Sequence, residues 1–383
     1  MKLSVEITAT DGDARRGTVA TTRGEFSVPA FMPVGTRGTI RSLATHELAQ
    51  LAAADGTGAE VLLANTYHLM LRPGAEAVAA LGGLHRFSGW DGHMLTDSGG
   101  YQVFSLEPRI TEEGAEFRST YDGSSELLTP EGAVHRQELL GADIQMALDV
   151  CPPLPSDEDT LRGAVERTLR WAERARSAHR RTDDQALFGI VQGGTAQSLR
   201  SEAAGRTVAL GFDGYAIGGL SVGETREQML PALCAALDEL PPDQPRYLMG
   251  VGDPVSIVEA VAAGVDMFDC VLPTRLARHG TLLTDTGRLN IKRAEFARSD
   301  EPVSKDCGCA TCSRYSRGYL RHLMAVGEQS GATLCTIHNL TWMMNLVTEI
   351  RLAIRSGTLE ATRNRLAVAY DSMAPGAGDS ARA

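Results

Sequence analysis

Three aspartates in this sequence stand where a carboxylate could do chemistry. Asp97 precedes a serine and two glycines, and glycine lets the backbone approach a ligand closely. Asp269 lies between Phe268 and Cys270 in an apolar run, where an acid is costly to bury unless it is paired or functional. Asp149 ends a third apolar run. Two carboxylates at one small cleft suit reaction at a glycosidic carbon, one as nucleophile and the other as general acid and base.

A second group of residues is typical of a metal site. Cys307, Cys309 and Cys312 are closely spaced, and His338 follows them. Three thiolates and one imidazole form the closed tetrahedral set of a structural zinc, because no position stays open for water. The alternative is unligated cysteines and a helix-capping histidine, which three clustered cysteines disfavour in a reducing compartment. The other cysteines are expected to be small apolar fillers, with Cys151 the exception because it follows a strand end.

Short apolar runs that end in polar or glycine residues predict the elements that carry these groups. Helix-like stretches separate most of them, which is the pattern of an α/β fold, a (β/α)8 TIM barrel with its active site at the strand ends. One aspartate at a strand end is structural about as often as catalytic, but several at one face favour function. The runs span residues 94–100, 144–149, 188–194, 215–220, 247–252 and 266–273.

The remaining segments complete this predicted architecture. Residues 2–27 read as antiparallel strands that cap the N-terminal end of the barrel, and barrel strands are expected at 30–34 and 60–69. A hairpin is predicted within 105–130, with its turn near Asp122 and Gly123, and Asp266 is expected to cap the loop before its strand. Helices are predicted over 156–180, beginning at Ser156, and over 225–240, 253–263 and 341–370.

Charge and length divide the chain into regions. The 383 residues carry a net charge of −11, yet residues 275–321 hold ten basic and five acidic side chains. This basic run is either a solvated face or a surface that contacts phosphates. We expect a barrel at 1–273 and 339–370, a zinc-binding, RNA-contacting subdomain at 274–338, and a disordered tail at 371–383. Neither a membrane-length apolar run nor an apolar leader is seen, so we expect a cytoplasmic protein.

At these motifs the sequence resembles bacterial tRNA-guanine transglycosylases over about residues 4–370. The resemblance implies exchange of a guanine base in tRNA for a 7-deazaguanine, without cutting the strand, as an early step toward queuosine. The target it implies is the wobble guanine of the anticodon loop in tRNAs with a GUN anticodon. The motifs that carry it are TDSGGYQVFSL (96–106), GIVQGG (189–194), GGLSVGE (218–224), YLMGVG (247–252), DMFDCVLPTR (266–275) and the Cys/His set.

The resemblance also implies roles for individual residues. Asp269 matches the nucleophile that bonds to the ribose anomeric carbon, and Asp97 matches the general acid and base. Asp149, Gln192 and Gly219 match the groups that read the edge of the base. A carboxylate can accept two N–H bonds from a guanine-like edge, and a carboxamide offers both a donor and an acceptor.

Further matches surround the base. Tyr101 and Met249 match residues that sandwich the heterocycle, where an aromatic ring and a thioether supply stacking and soft packing. The Leu220 backbone stands beside the edge readers, and Glu224 matches an acid that supports a peptide flip there. Cys151, like Val222, follows the bacterial pattern. The implied base is therefore 7-aminomethyl-7-deazaguanine.

The resemblance extends to tRNA contacts and a homodimer. The basic run is where tRNA phosphates are expected, with Arg275, Arg278, Lys292 and Arg293 as the candidates. Many family members read SGR-x-G after the PTR motif, whereas residues 276–280 here read LARHG, which puts the RNA contacts of that loop in doubt. The residues expected at the dimer interface, which could instead pack within their own subunit, are Phe87, Tyr315, Tyr319 and His322.

Two other functions remain open from the sequence alone. A catalytically silent tRNA-binding subunit would share the fold, but the presence of both Asp97 and Asp269 argues against it. A retaining glycoside hydrolase on the same barrel would also need two suitably spaced carboxylates. A zinc site and a basic lobe would serve no purpose in that hydrolase.

Overall fold

The computed structural model describes residues 3–51, 56 and 58–370, so the tail predicted to be disordered lies outside the described residues. The strands are β1 (Leu3–Asp11), β2 (Ala14–Thr21), β3 (Gly24–Val28), β4 (Ala30–Pro33), β5 (Val61–Ala64), β6 (His93–Thr96), β7 (Arg109–Ile110), β8 (Ala115–Arg118), β9 (Ser125–Leu128), β10 (Ile144–Met146), β11 (Ala186–Val191), β12 (Gly214–Ile217), β13 (Arg246–Leu248), β14 (Met267–Cys270), β15 (Thr281–Thr284) and β16 (Gly287–Asn290).

Helices follow most of the central strands. A single 3₁₀ turn, Ala294–Arg298, joins them in the described part of the chain. The helices are α1 (Thr45–Ala49), α2 (Thr66–Leu71), α3 (Ala75–Ala80), α4 (Gly83–Ser88), α5 (Gly100–Phe104), α6 (Pro130–Leu140), α7 (Glu158–Ala178), α8 (Gln197–Ala209), α9 (Arg226–Leu237), α10 (Pro254–Ala262), α11 (Leu272–Arg278), α12 (Arg317–Val326), α13 (Gln329–Ser356) and α14 (Leu359–Tyr370). None of them is long and apolar enough to cross a lipid bilayer.

The central sheet is a closed parallel barrel, which confirms the predicted fold class. Its eight described strands run in the order β4-β14-β13-β12-β11-β10-β6-β5. A parallel bridge between Val34 and Leu63 and a 2.7 Å bond from the Gly35 N–H to the Leu63 carbonyl join the two ends. The strands read as continuous apolar runs because one face packs inside the barrel and the other against the helices.

Strands β1, β2 and β3 form an antiparallel sheet that covers the N-terminal end of the barrel, as predicted. The Ser27 N–H bonds to Glu60, just before β5, and Arg23 pairs with Asp143, just before β10. Phe26 is buried with the side chains of the barrel interior. These contacts all lie at residues that precede barrel strands, so the sheet closes this end and leaves the opposite end for a site.

Asp266 also belongs to this closure, and its expected role as a loop cap is wrong. Its carboxylate is fully buried and accepts two bonds from Arg15 of β2, of 2.8 and 2.5 Å. The Arg246 N–H donates to the same carboxylate at 2.8 Å. The partner lies 251 residues away in the chain, so local spacing could not indicate this ion pair.

Several predicted boundaries move in the structure. The strand expected over 60–69 ends at Ala64, because Asn65 and Thr66 donate to Asp97 and begin a helix instead. The helix expected to begin at Ser156 starts after Asp157, whose carboxylate accepts the N–H three residues on. The helical stretch expected over 341–370 begins earlier, at Gln329, and breaks after Ser356.

Two insertions flank the open end of the barrel. Strands β7, β8 and β9 form an antiparallel sheet, and the turn between β8 and β9 contains Gly123 with φ of 77°, which confirms the predicted hairpin. After β14, the chain forms α11, the β15–β16 hairpin, the 3₁₀ turn and α12 before it enters α13. Helix α13 packs on α11 and β15, so this region is anchored to the barrel.

We predict that Asp266→Ala lowers the free energy of unfolding by about 3–5 kcal/mol, because it leaves the Arg15 charge buried and unpaired. The control is Glu166→Gln, which breaks the exposed pair with Arg206 and should cost less than about 1 kcal/mol. Urea unfolding followed by circular dichroism measures both. Equal losses for the two variants would contradict the assignment of the N-terminal sheet as a buried, ion-paired closure.

Candidate active site and metal centre

Strand register gathers the predicted site residues at the open end of the barrel. Ala64 pairs with Thr96 across β5 and β6, so the next residues, Asn65 and Asp97, lie at the same level. Val191 pairs with Ile217 and Ile217 with Leu248 across β11, β12 and β13, which places Gln192, Gly218 and Met249 in one layer. In parallel strands these carboxyl ends share one edge. The structure therefore brings the predicted strand-end residues together.

The three predicted carboxyl groups are close enough to influence one another. The negative charge of Asp269 contributes to raising the pKa of Asp97, and that of Asp97 does the same for Asp149. Like charges in a cleft of low polarity disfavour ionisation. The cleft therefore holds a coupled group of acids rather than three independent ones.

Asp97 is buried and held by neutral donors at the junction of β5 and α2. Asn65 Nδ2 donates to its Oδ2 at 2.5 Å, and the Thr66 N–H donates to its Oδ1 at 2.7 Å. Burial raises the pKa of Asp97 to about 6, against the opposing effect of these two donors. A carboxyl group with a pKa near neutrality can both give and accept a proton at physiological pH.

Asp269 is held through one of its two oxygens. The Tyr247 hydroxyl donates to Oδ1 at 2.6 Å and the Gly250 N–H donates to it at 2.8 Å. Among the described residues, none donates to Oδ2. Burial raises the pKa of Asp269, and the same two donors act in the opposite direction. One oxygen is thus fixed and the other is available to react.

Asp149 and Gln192 form a buried polar pair beside the acids. Gln192 Nε2 donates to Asp149 Oδ2 at 2.5 Å. Burial raises the pKa of Asp149 to about 6. Gln192 Oε1 is buried with no hydrogen-bond partner among the described residues, and such an atom is costly unless a ligand supplies the missing donor. The pair can therefore accept N–H groups from a bound heterocycle.

Gly219 is required where it stands. Its φ is +64°, and a Cβ there would lie 2.2 Å from Gln192 Oε1. Any side chain at this position would displace Gln192 Oε1, the oxygen that accepts no hydrogen bond from the described residues. Gln192 therefore lies against both of the other predicted edge readers, Asp149 and Gly219.

The turn after Leu220 is organised by Glu224. Its carboxylate accepts the N–H groups of Ser221 and Val222, the latter at 3.1 Å. Because N–H and C=O point in opposite directions across a trans peptide, the Leu220 carbonyl faces away from Glu224. This peptide orientation presents an acceptor on the side remote from the acid.

Tyr101, Met249 and Cys151 lie around the same cleft. Tyr101 is 57% exposed, and Arg275 lies close enough for its positive charge to act on the tyrosine hydroxyl. Met249 is half-buried and packs against the barrel interior. Burial raises the pKa of Cys151 to about 12, with the Asp149 charge adding to the rise, so this thiol stays neutral and unreactive.

The predicted RNA-contacting residues fall into two places. Arg275 and Arg278 lie on α11, directly after the strand that carries Asp269. Lys292 and Arg293 follow β16 instead, where the Lys292 stem lies against Gly280 and Arg293 pairs with Glu295 at 3.6 Å. The structure thus brings two of these four cations to the cleft edge and places the other two on the hairpin side.

The residues that position the acids were not predicted from the sequence. Asn65 and Thr66 were hidden inside a predicted strand, and Tyr247 reads as core because it is an aromatic residue in an apolar run. Asn65 and Thr66 are two polar residues directly after the apolar run 61–64, and that change in polarity could have indicated their role. Nothing local distinguishes Tyr247 from a core residue.

Arg200 of α8 is a further missed residue. It is fully buried, and its guanidinium donates to three backbone carbonyls, those of Gly194 at 2.7 Å, Val191 at 2.9 Å and Gly219 at 3.1 Å. Burial lowers the pKa of Arg200 to about 10. The side chain ties the loop after β11 to the loop after β12, on which Gln192 and Gly219 stand.

The four predicted metal ligands meet in the structure. The ligand atoms of Cys307, Cys309, Cys312 and His338 all lie within 4.8 Å of one another. The Sγ atoms lie 3.7, 3.7 and 3.3 Å from His338 Nδ1. A tetrahedral zinc with ordinary bond lengths separates sulfur and nitrogen by about 3.6 Å. The residues therefore fit a tetrahedral metal ion.

The orientation of His338 supports the same conclusion. Its Nε2 lies 2.9 Å from the Leu283 carbonyl, so Nε2 carries the proton and Nδ1 keeps its lone pair toward the sulfurs. The Cys312 N–H lies 3.3 Å from Cys309 Sγ, as expected for a donor to a thiolate. The cluster could hold a metal ion, and its four protein ligands would leave no open coordination position.

We predict that Asp149→Asn stabilises the fold at pH 7.5 by up to about 3 kcal/mol, because the buried carboxylate is disfavoured in the folded state. The folded pKa of about 6 exceeds the unfolded value near 3.8, so this gain is complete above pH 6 and disappears as the pH falls to about 4. Urea unfolding at both pH values measures it, with the exposed Asp183→Asn as control. A gain independent of pH would contradict this cause.

Comparison with known proteins places the chain in one family. Residues 10–372 match the family described as "Queuine tRNA-ribosyltransferase". A protein of that name from Symbiobacterium thermophilum is 52% identical over 91% of this chain and 86% of its own length. Relatives of the same name from Desulforamulus reducens and Staphylococcus haemolyticus are each 49% identical, over 94% and 92% of this chain and 96% and 92% of their own lengths. The chain therefore belongs to the queuine tRNA-ribosyltransferase family, the tRNA-guanine transglycosylases that its motifs resemble.

Proposed function

We propose that this enzyme exchanges the wobble guanine of GUN-anticodon tRNAs for 7-aminomethyl-7-deazaguanine, in the pathway to queuosine. The observation that supports it best is the coupled group of buried acids, Asp97, Asp149 and Asp269, at the open end of the barrel. Family membership supports the substrate, and the cleft chemistry supports the reaction. A flat base that has left the anticodon-loop stack would be read by the polar pair and the glycine beside it.

The proposed reaction is a double displacement at the ribose. Asp269 Oδ2 attacks the anomeric carbon, the glycosidic C–N bond breaks, and the guanine leaves with a proton from the Asp97 carboxyl group. The incoming base then gives its ring N–H proton to the Asp97 carboxylate, and its nitrogen attacks the same carbon. The Asp269 carboxylate departs, so the enzyme returns to its first state and the RNA strand stays intact.

The environments of the two acids suit these roles. With a pKa of about 6, Asp97 is protonated in about a tenth of the molecules at pH 7 and can reverse its role between the steps. Asp269 is oriented by Tyr247 and Gly250 through Oδ1, which leaves Oδ2 to attack without a change of rotamer. Preorganisation of this kind reduces the entropy lost on reaching the transition state.

The base would be held by the residues around Gln192. We infer that Asp149 accepts N–H groups of the base edge and that Gly219 bonds to its carbonyl, with Tyr101 and Met249 on the two faces. The Leu220 carbonyl, turned away from Glu224, would accept a bond from the aminomethyl group of the incoming base. Cys151 as a neutral thiol would line the same pocket.

The region after the last barrel strand would bind zinc and RNA. We propose a zinc-binding subdomain at 274–338 beside the barrel at 1–273 and 339–370, with Cys307, Cys309, Cys312 and His338 as the zinc ligands. The zinc would supply only a structural link between α13 and the preceding loop, because its coordination would be complete. The tRNA phosphates would contact Arg275, Arg278, Lys292 and Arg293.

We further propose a homodimer that acts in the cytoplasm. Tyr315 and Tyr319 stack with ring centres 5.4 Å apart, and Tyr319 and Phe87 are 44% and 38% exposed. These aromatic side chains and the exposed His322 are the residues that a second copy could cover. The cytoplasm suits a chain whose proposed metal site needs reduced cysteines.

Asp269→Asn should abolish exchange while leaving the fold intact, because the amide oxygen can still accept from Tyr247 and Gly250. We expect labelled guanine to enter tRNA at least a thousandfold more slowly, and a protein–RNA adduct that survives denaturation to form with the wild type alone.

For Asp97→Asn we expect the rate of guanine exchange to fall by about 10²–10⁴-fold. Undiminished exchange by Asp269→Asn would exclude the nucleophilic role. A wild type that binds tRNA without exchange would instead identify a silent subunit.

Elemental analysis should find one zinc ion per chain. Cys312→Ser should lose the metal and lower the melting temperature, because a structural site contributes its binding free energy to folding. Cys234→Ser is the matched control, since that exposed thiol lies on α9, outside the ligand cluster. Full zinc content in the Cys312 variant, or none in the wild type purified without chelators, would contradict the assignment.

A further inference from the structure

A small group of cations surrounds a tyrosine at the edge of the cleft. The guanidinium carbon of Arg72 lies 4.8 Å from the centre of the Tyr121 ring, and that of Arg37 lies 5.8 Å from it. Both distances fall within the range of about 6 Å in which a cation is attracted to an aromatic face. His68 Nδ1 lies 3.1 Å from the Tyr121 hydroxyl, so the ring is held in place from the barrel side. We call Arg37, Arg72 and Tyr121 the rim clamp.

The rim clamp stands next to the residues that position Asp97. Thr36, which precedes the first arginine of the clamp, accepts the backbone N–H of Asn65 at 3.3 Å. His68 follows Thr66 by two residues on α2, a rise of about 3 Å along the helix axis. Since Asn65 and Thr66 both donate to Asp97, the clamp lies at the open end of the barrel, on the β4–β5 side of the cleft.

The guanidinium groups of the clamp have no protein anion bound to them. Within the described part of the chain, Arg37 and Arg72 are exposed and form neither a salt bridge nor a hydrogen bond. The pKa of Asp122 is lowered chiefly by hydrogen bonds from Ser119 and Ser124. The positive charge of Arg72 also lowers this pKa, but it contributes less. The N–H donors of the two arginines are therefore open to an anionic ligand.

Further cations, which form no ion pair among the residues that the structure describes, lie along the rim beside the clamp. Burial and the positive charges of Arg41 and Arg275 lower the pKa of Arg278, so these three guanidinium groups are close together. Arg41 lies in the loop after β4, and the other two lie on α11 after β14, the strand that pairs with β4. A chain with a net charge of −11 thus gathers cations along three adjacent strand ends. Crowded like charges are relieved when a polyanion binds.

We propose that the rim clamp is a second tRNA-binding site, in which Arg37 and Arg72 each bind a backbone phosphate of the anticodon arm. This rests on the proposed function. The flat Tyr121 ring holds the two guanidinium planes so that each can present paired N–H groups to phosphate oxygens. The clamp contacts the RNA backbone on the Asp97 side of the cleft, and Arg275 and Arg278 contact it on the Asp269 side. The reacting nucleotide is then held between two phosphate contacts.

The test compares two double variants with the same loss of charge. Arg37→Gln/Arg72→Gln removes the clamp cations, and Arg180→Gln/Arg355→Gln removes two exposed cations at the closed end of the barrel. We expect the clamp variant to bind tRNA about tenfold more weakly and to lose about two units from the slope of log affinity against log salt. Fluorescence anisotropy of labelled tRNA over a range of KCl concentrations measures both quantities. The control should match the wild type.

Kinetics provide a second readout for the clamp. The KM for tRNA should rise with the dissociation constant, whereas kcat at saturating tRNA and the KM for guanine should stay within about twofold. Tyr121→Phe keeps the ring and should bind tRNA almost as the wild type does. Tyr121→Leu removes the ring and should weaken binding several-fold.

The outcomes separate this proposal from the proposed function. If the clamp variant has the affinity and salt slope of the control while Arg275→Gln/Arg278→Gln binds weakly, the second site is wrong and the exchange reaction is unaffected. Equal affinities for Tyr121→Leu and the wild type would also overturn the clamp. A wild type that binds tRNA but exchanges no base would overturn the proposed function and leave the clamp intact.

Discussion

The cleft buries three carboxyl groups, and no cation in the described part of the chain pairs with them. This constraint shapes the surroundings of the cleft. Neutral donors hold them: an asparagine and a backbone amide at Asp97, a tyrosine and a backbone amide at Asp269, and a glutamine at Asp149. Such donors fix the oxygen positions but leave the charge uncompensated, so burial raises all three pKa values. This burial costs stability, and under the proposed function it would also make the carboxylates more reactive, since raised pKa values suit proton transfer near neutral pH.

At the opposite end of the barrel, the buried acids are paired with arginines. There, Arg15 neutralises Asp266 and Arg23 pairs with Asp143, and both pairs join the N-terminal sheet to the barrel. Removing either partner of a buried ion pair costs several kcal/mol of stability, because the other charge is left unpaired. This end therefore favours one arrangement of the strands. The closed barrel therefore has an ion-paired N-terminal end, whereas the acids at the opposite end form no ion pair within the described residues. In this fold the N-terminal end commonly supports stability and the C-terminal end carries the site.

Positive charge is kept near the mouth but outside the acid cluster. Arg200 is buried beside the cleft, yet it donates to three backbone carbonyls rather than to a carboxylate. The exposed arginines stand on the rim, where they can attract a polyanion without pairing with the buried acids. An acidic chain can therefore carry a local positive field at the rim while its buried carboxylates stay unpaired. The same separation explains why net charge is a poor guide to the partner.

The sequence alone determined the barrel, the three acids and the Cys/His set, because strand-end positions and ligand spacing are local patterns. Only the tertiary structure decided which donors hold the acids. Tyr247 on β13 bonds to Asp269 on the neighbouring β14, and Asn65 after β5 bonds to Asp97 after the neighbouring β6. The tertiary structure also decided that residue 266 is ion-paired and that Thr66 begins a helix. These features depend on contacts between residues distant in the chain, and no local periodicity encodes such contacts.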